Sequence, residues 1–214
     1  MKKTMLDKAM VILAGLLLLG GCSTTRRIPE GEVLYTGVRH LRILPDSGVV
    51  VSTAAEDAAR EPLSVAPNNP LYAPWVRTPF PLGLWAWNYC YTPREKGFRY
   101  WFYRRLAKEP VLLSKVQPGL RTQVAVQALE NYGYFGSRAS DSLRYRKQGR
   151  KAKVDYTLRV APPWFYGEVT YPKADSTMAP LIDSLQATSL IRPGAQYNLD
   201  TLTAERQRIT TTLR

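Results

Sequence analysis

The decapeptide Lys151–Val160 constrains the fold more than any other stretch of the chain. Its apolar side chains fall on every second position, and the positions between them are charged or polar; the apolar members are Ala152, Val154, Tyr156, Leu158 and Val160. Because successive residues of a strand point to opposite faces of a sheet, this alternation predicts a strand with one face packed against helices and the other in water. Ser140–Lys147 predicts its partner strand, and Gln148-Gly149-Arg150 predicts the hairpin turn between the two.

A helix is predicted ahead of this hairpin. Apolar residues recur at helical spacing, as on one face of an amphipathic helix, at Val116, Leu120, Val124, Leu129 and Tyr132. Ser114-Lys-Val-Gln117 fits a capping box, and Pro118 suits the first turn of a helix. Gly133 stands where the helix would end. Tyr134-Phe-Gly136 would then turn the chain into the hairpin.

Extended structure is expected near the start of the chain. Glu32–Gly37 and Val38–Leu44 predict one or two strands, since Val38–Leu44 mixes apolar and basic residues as a half-buried strand does. Pro45-Asp-Ser-Gly48 is typical of a turn, and Val49–Thr53 is interpreted as a short strand that pairs back. Residues 33–160 therefore predict the order strand, helices, strand, strand.

Residues 61–81 carry six prolines, a density that excludes a continuous helix because each proline removes a backbone donor. An aromatic block follows, and Leu82–Tyr91 and Phe98–Leu106 each predict a short helix. The block contains four of the five tryptophans, Trp75, Trp85, Trp87 and Trp101. Two interpretations stay open: an interfacial patch whose rings sit at the level of lipid headgroups, or a core of large rings that closes a small domain. The sequence favours the core.

The same order of elements begins again after Pro162-Pro163. The predicted elements are a strand at Phe165–Tyr171, a helix around Leu181–Leu185 capped by Asp175-Ser-Thr177, a turn at Pro193-Gly194 and a helix capped by Asn198 or Asp200. No closing hairpin follows this last helix. We therefore expect a second, incomplete unit and a chain that is a fragment.

The first residues have the three parts of a secretory signal: a basic start, the apolar run Met10–Leu19, and small residues. Ten apolar residues reach roughly 15 Å as a helix, about half of a bilayer core, so the run is too short to span it. Leu19-Gly-Gly-Cys22 resembles the lipobox of bacterial lipoproteins. The resemblance implies that residues 1–21 are removed, that Cys22 is acylated, and that residues 22–30 form a tether. The alternative is an ordinary signal peptide with a structural cysteine nearby.

Export would determine the compartment and the partners. Removing residues 1–21 takes away three lysines and one aspartate, which lowers the formal net charge from +13 to +11. A basic chain rich in tyrosine and tryptophan is compatible with single-stranded nucleic acid, but export argues against that partner. Anionic lipid headgroups, lipopolysaccharide or acidic client segments are the expected counter-charges. With Cys22 acylated, Cys90 is the one cysteine left, so no internal disulfide is expected.

The β-α-α-β-β order resembles a POTRA domain, the polypeptide-transport-associated module. Leu129–Phe135 resembles the end of its second helix with the Gly-Tyr-Phe turn, and Arg192–Leu199 with Ala204–Ile209 resembles the same region of a next repeat. Further segments resemble the first POTRA region of the BamA/TamA family, in its lipoprotein branch from Bacteroidetes (TamL). These are Pro67–Leu71, Gly83–Trp85, Lys96-Gly97, Trp101 and Glu109–Val111. The lipobox agrees with that branch.

The resemblance implies an α+β chain of POTRA-like units, each a small mixed sheet packed on helices. Residues 31–162 would form one complete domain with a proline- and aromatic-rich insertion at about 61–110. Residues 163–214 would form a second, truncated domain. The family continues into a C-terminal outer-membrane barrel, so the chain is expected to be the N-terminal part of such a protein.

The implied function is outer-membrane protein assembly or translocation, with a lipid anchor in the outer membrane and the POTRA units in the periplasm. The implied partners are nascent outer-membrane proteins or a TamB-like periplasmic protein, bound by β-augmentation at an exposed sheet edge. The competing interpretation is a free-standing, outer-membrane-anchored periplasmic lipoprotein. It would bind envelope components through its basic, aromatic surface.

Catalysis has little support in the sequence. His40 is the only histidine, and a lone histidine on a strand is more often structural or exposed than catalytic. Cys, His, Asp and Glu nowhere have metal-ligand spacing, and the Gly-x-Ser-x-Gly, phosphate-loop and Ser-x-x-Lys patterns are absent. We expect a binding protein without catalytic, cofactor or metal sites and without a small-molecule substrate.

Overall fold

The computed structural model describes residues 24–68, 81–94, 96–172 and 179–213. Within them the chain is an α+β protein in which a small mixed three-stranded sheet packs against helices. This general fold class is confirmed. Three expectations lie outside the described residues: the signal segment with Cys22, the Trp75 ring, and the helix cap at Asp175-Ser-Thr177.

The predicted hairpin and several predicted helices are confirmed. The strands are β1 (Leu34–Pro45), β2 (Arg138–Arg146) and β3 (Lys151–Val160). The helices are α1 (Thr53–Arg60), α2 (Leu82–Tyr89), α3 (Phe98–Leu106), α4 (Leu113–Val116), α5 (Pro118–Asn131), α6 (Ala179–Ala187) and α7 (Leu199–Thr212), with a 3₁₀ turn at Glu61–Leu63. Asn198 caps α7, because its side-chain oxygen accepts from the backbone N–H groups of Asp200 and Thr201.

The sheet has the order β1-β3-β2. Strands β2 and β3 form the hairpin, and the alternation predicted for β3 matches its burial, with every second side chain buried. Strand β1 runs in the same direction as β3. Its first backbone N–H, at Leu34, donates to the Arg150 carbonyl, and the N–H of Asp46, just past its end, donates to the Val160 carbonyl. The sheet is therefore mixed, and β1 and β2 are its two edge strands.

Contacts divide the chain into two compact units. The first comprises the described parts of Met1–Gly37, Ala66–Val116 and Arg144–Lys153. Its apolar cluster joins Ile28, Leu34 and Leu84, with Leu112 packed against them, and helix α2 packs against α3.

The second compact unit comprises the described parts of Val38–Val65, Gln117–Leu143 and Val154–Arg214. In it, helix α1 packs against α5. Both helices bring small side chains to the core, because Ala55, Ala59 and Ala125 are fully buried. Small residues let two helix backbones approach closely, and the larger Leu129 of α5 is fully buried as well. The domain boundaries expected from the sequence remain a prediction.

The prediction for the long helix is confirmed in part: Pro118 lies in the first turn of α5 and Leu129 is buried, but the predicted capping box and two members of the apolar stripe are wrong. Gln117 has a left-handed backbone (φ 48°) that separates α4 from α5, so a helical register counted from Val116 does not carry through. Ser114 lies within α4 and donates to Glu32 Oε2 instead of capping α5. The residues of α5 that are buried are Thr122, Ala125 and Leu129, whereas Leu120 and Val124 are exposed.

Two predicted strands are absent from the described residues. The first is the strand predicted at Val49–Thr53. Ser52 instead caps helix α1, because its hydroxyl accepts a hydrogen bond from the Ala55 N–H, and the chain becomes helical at Thr53. Phe165–Tyr171 makes one isolated antiparallel bridge, between Phe165 and Gln196. Gly167 weakens a strand there, since glycine has no side chain to pack.

The aromatic block has two different helices. Helix α2 buries Leu84 and Ala86, as a core helix does. Helix α3 buries none of its residues, and Phe98 and Trp101 are 77% and 57% exposed. The core interpretation of the block is therefore wrong for α3.

Candidate functional site

Strand β2 is the more open edge of the sheet. Seven of its nine residues are exposed, so the strand is accessible along most of its length. In the part of the chain that the structure describes, the side of β2 away from β3 pairs with no other strand. An edge strand of this kind presents backbone N–H and C=O groups that an extended peptide can pair with.

The opposite edge, on β1, is covered where the strand begins. The Tyr35 N–H donates to the Val111 carbonyl at 2.9 Å, and the Leu113 N–H donates to the Val33 carbonyl at 2.8 Å. An antiparallel bridge joins Leu34 to Leu112 between them. The segment Val111–Leu113 therefore occupies this part of the β1 edge.

Asn68 holds the covering segment in place. Its amide nitrogen donates to the Glu109 carbonyl at 2.6 Å, and its amide oxygen accepts from the Val111 N–H at 2.7 Å. The side chain is buried, so both bonds replace water that the amide would otherwise bind. Pro67–Leu71 and Glu109–Val111 are separate motifs in the sequence, and Asn68 is the residue that joins them.

A groove runs beside the first residues of β2. It has a volume of about 310 Å³, and its lining residues, five from α5 and one from β2, are Thr122, Gln123, Val126, Gln127, Glu130 and Ala139. The lining is a mixture of amide, hydroxyl and small apolar groups, with one carboxylate, that of Glu130. Such a surface accepts side chains of several kinds beside the open strand edge and selects strongly for none of them.

The exposed face of β2 is basic. Arg138, Arg144 and Arg146 are exposed along the strand, with Asp141 as its one acidic residue. Charged side chains on an edge strand reduce uncontrolled pairing between copies of a protein. They also favour approach by acidic segments.

Beneath this edge, Tyr156 of β3 is fully buried. Burial raises the pKa of its hydroxyl, the nearby Arg121 lowers it, and Asp141 raises it. Among the described residues the Tyr156 hydroxyl has no hydrogen-bond partner. Among the residues that the structure describes, the inner face of the sheet below the basic edge is therefore apolar, apart from the unpaired hydroxyl of Tyr156.

The turn between α5 and β2 contacts the segment that follows β3. The ring of Phe135 packs edge-on against Trp164 and Tyr197, with ring centres 5.4 and 5.0 Å apart. The Trp164 N–H donates to the Gly133 carbonyl, and the Gln196 side chain donates to the Tyr132 carbonyl, both at 2.8 Å. The Gly-Tyr-Phe turn is readable in the sequence, but its partners Trp164 and Tyr197 are not, because nothing in the spacing links residues so far apart.

A buried carboxylate organises the last two helices. Glu205 on α7 is 3% exposed and accepts from the Arg208 guanidinium at 2.8 Å, from the Leu190 N–H and from the Ser189 hydroxyl, both at 3.1 Å. The Arg208 hydrogen bonds lower the pKa of Glu205 to about 2, against the opposing effect of burial. The i,i+3 spacing of Glu205 and Arg208 was a readable signal that the sequence analysis did not use.

The other candidate residues from the sequence are two cysteines and a histidine. Cys22 lies outside the described residues, so its acylation stays a prediction. His40 is exposed on β1, and Cys90 is buried, which raises the pKa of its thiol while Arg99 lowers it. Within the described ranges, no three Cys, His, Asp or Glu side chains converge as metal ligands would. None of the described helices has the length and apolar character needed to cross a membrane.

Comparison with known proteins gives no assignment. No protein-family model matches the chain, and no curated protein matches it significantly.

Proposed function

We propose that this chain is the periplasmic POTRA region of an outer-membrane protein assembly or translocation factor of the BamA/TamA type. The observation that carries the proposal is the open β2 edge, which stands beside a helix groove in a sheet of order β1-β3-β2. The order β1, α1, α5, β2, β3, with α1 and α5 packed together, supports the POTRA interpretation. The helices α2 and α3 then belong to an insertion between the two conserved helix positions of that module.

The mechanism is addition of a strand. An extended client segment would align with β2 and exchange backbone hydrogen bonds with it, while alternate client side chains enter the groove along α5. Backbone pairing depends little on sequence, which suits a factor with many clients. The arginines of β2 would attract acidic segments and oppose self-association. Nothing in this mechanism requires a reaction, so we propose a binding role without an enzymatic one.

The cellular setting belongs to the same proposal. Cys22 carries the lipid that anchors the chain in the outer membrane, and the described residues stand in the periplasm. The partners are nascent outer-membrane proteins or a TamB-like periplasmic protein. The proposal includes neither a nucleic-acid partner nor a small-molecule substrate. The lipobox resemblance and the basic charge of the chain support this setting.

Site-specific photo-crosslinking tests the proposal in the full-length chain. A photoreactive residue at Ser140 or Ser142 of β2 should crosslink to a peptide copied from a terminal strand of an outer-membrane barrel protein. The same residue at Thr203, which is exposed on α7, should not. Equal crosslinking at the β2 and α7 positions would contradict strand addition.

Proline substitution adds a second test. In an antiparallel edge strand the N–H groups of neighbouring residues point alternately to the partner strand and to the open side. Of Ser140→Pro and Asp141→Pro, one should therefore weaken the sheet, and the other should leave the fold intact but block the incoming strand. Circular dichroism identifies the folded variant. Undiminished peptide crosslinking in that variant would overturn the proposal.

A further inference from the structure

Helix α3 has two different faces. Tyr103 faces helix α2 and the residues that follow it. The centre of the Tyr103 ring lies 5.9 Å from that of Trp87 and 5.5 Å from that of Tyr91. Phe98, Trp101 and Phe102 lie at i, i+3 and i+4 on a different side of the helix, and their ring centres are 5.8 to 6.1 Å apart. We call these three rings the aromatic face. Its members Phe98 and Trp101 are among the most exposed large apolar residues described.

Basic residues surround the aromatic face. Lys96–Lys108 contains five lysines and arginines and no aspartate or glutamate. At 100° per residue, Arg105 falls within the aromatic face, and Arg99 and Arg104 flank it on either side. Arg104 and Arg105 are exposed, and Arg99 donates to the Tyr89 carbonyl. A helix with exposed rings and only positive charge complements an anionic surface that has an apolar layer beneath it.

The start of the described chain is fixed to the same compact unit. The Arg27 N–H donates to the Asn88 side-chain oxygen at 3.0 Å, and the Asn88 amide donates to the Thr24 carbonyl at 3.2 Å. The Arg27 guanidinium lies 4.1 Å from the centre of the Tyr91 ring. Thr24 is two positions after Cys22 in sequence. A lipid on Cys22 would therefore enter the membrane close to the unit that carries α3.

We infer that α3 is a second membrane contact, which inserts its aromatic face among anionic lipid headgroups and thereby holds the first compact unit against the membrane. The inference rests on the proposed envelope location, but not on client binding at β2. Phenylalanine and tryptophan rings would enter the boundary between headgroups and acyl chains, and Arg104 and Arg105 would remain with the phosphates. The lipid on Cys22 would supply the anchor itself, and the basic, aromatic helix would fix how the first compact unit lies against the membrane.

The test uses residues 22–214 with Cys22→Ser, which lack both the acyl group and the apolar run Met10–Leu19, so that any binding comes from the protein surface. Co-sedimentation is measured with vesicles of phosphatidylcholine and phosphatidylglycerol in equal parts, and with vesicles of phosphatidylcholine alone. We expect binding to the anionic vesicles that weakens with added salt. Arg104→Glu with Arg105→Glu should weaken it by at least about fivefold for each arginine. Phe98→Ala with Trp101→Ala should weaken it by roughly tenfold through the lost apolar contact.

Matched controls come from the second compact unit. Trp164→Ala with Phe165→Ala removes a tryptophan and a phenylalanine that are 64% and 59% exposed, and Arg192→Glu with Arg206→Glu makes the same change of charge at exposed sites. Neither pair of substitutions should change vesicle binding by more than about twofold, because only side chains close to the membrane surface contribute to it.

Equal binding to both kinds of vesicle would overturn the inference, and so would an unchanged Phe98→Ala, Trp101→Ala variant whose circular dichroism matches the parent. Vesicle binding without crosslinking at Ser140 would leave the membrane contact standing and remove the strand-addition proposal. Crosslinking at Ser140 without vesicle binding would leave the strand-addition proposal standing and remove the membrane contact.

Discussion

The hydroxyl oxygen of Tyr134 lies 3.0 Å from the backbone nitrogen of Ser52, the residue that caps helix α1. The same hydroxyl donates to the Val50 carbonyl at 3.3 Å, and the Tyr134 ring is completely buried. The turn that follows α5 is thus bonded directly to the loop that begins α1. Because α1 and α5 pack against each other, this tyrosine ties together the start of one helix and the end of the other.

Replacing Tyr134 by phenylalanine tests how much this connection stabilises the fold. The ring would keep its packing, but the Ser52 N–H and the Val50 carbonyl would lose their partner. We expect Tyr134→Phe to lower the free energy of unfolding by about 1–2 kcal/mol. Urea denaturation followed by circular dichroism measures the change.

Tyr156→Phe is the matched control. Both tyrosines are fully buried, but the Tyr156 hydroxyl has no hydrogen-bond partner among the described residues. Its removal should change stability by less than about 0.5 kcal/mol, or increase it, because an unpaired buried hydroxyl is costly. A loss of stability equal to that of Tyr134→Phe would mean that hydrogen bonding is not what distinguishes the two sites.

The success of sequence reasoning differed between elements for physical reasons. Both ends of β3 were predicted to the residue because the strand is buried on one face only. Such burial requires apolar and polar residues to alternate along the sequence. The buried face of α5 was predicted only at Leu129, because its other members, Thr122 and Ala125, carry little apolar signal, while Leu120 and Val124 are exposed. Helical periodicity therefore indicated only part of the buried side.

The open edge itself illustrates a different limit. A sequence can predict β2 as a strand, but whether its far side is covered depends on which distant segment lies there. At the other edge, the covering segment Val111–Leu113 is held through Asn68, more than forty residues earlier in the chain. That contact is made by one amide side chain, and a single asparagine has no periodicity to reveal its role.

Asn68→Ala should destabilise the first compact unit. The buried amide uses both its donor and its acceptor, so the substitution leaves the Glu109 carbonyl and the Val111 N–H without this partner. We expect a loss of about 2–3 kcal/mol. Asn131→Ala, at an exposed position, should change stability by less than about 0.5 kcal/mol. Thermal unfolding compares the two, and equal melting temperatures would refute the role assigned to Asn68.

Gly133→Ala should disturb the contact between the Gly-Tyr-Phe turn and the segment after β3. Gly133 has φ +87°, and an added Cβ would stand 2.9 Å from the Tyr197 carbonyl oxygen. Strain and collision together should cost more than about 2 kcal/mol. We expect faster proteolysis after residue 160 and a lower melting temperature.

Gly149→Ala separates the two contributions to that cost. Gly149 has nearly the same backbone, φ +84°, but an added Cβ would meet nothing within 4 Å. The variant should therefore carry only the strain of a left-handed alanine, about 1 kcal/mol. If Gly133→Ala lowered the melting temperature no more than Gly149→Ala does, the close approach of the Tyr197 carbonyl to Gly133 would contribute nothing to the cost of the substitution.

Glu205 should make the stability of the last helices depend on acid. Its folded pKa of about 2 lies below the ordinary value of 4.5, because Arg208, Leu190 and Ser189 hydrogen-bond the charged carboxylate. Folding therefore favours the ionised form. This stabilisation is fully present above the unfolded pKa and is lost as the pH falls from 4.5 towards 2. Arg208 stays charged over that whole interval, so protonation of Glu205 alone weakens the pair.

Glu205→Gln should lower the free energy of unfolding by about 2–3 kcal/mol at neutral pH, since a neutral amide cannot replace the charge-assisted bonds to Arg208. The difference between parent and variant should shrink as the pH is lowered from about 6 to about 3, because the parent loses its charge and the variant has none to lose. Urea denaturation at a series of pH values measures this difference directly. Glu168→Gln, an exposed carboxylate in the same compact unit, serves as the control and should show little change at any pH. A difference between parent and Glu205→Gln that stays constant down to about pH 3 would mean that the glutamate acts through its shape and not through its charge.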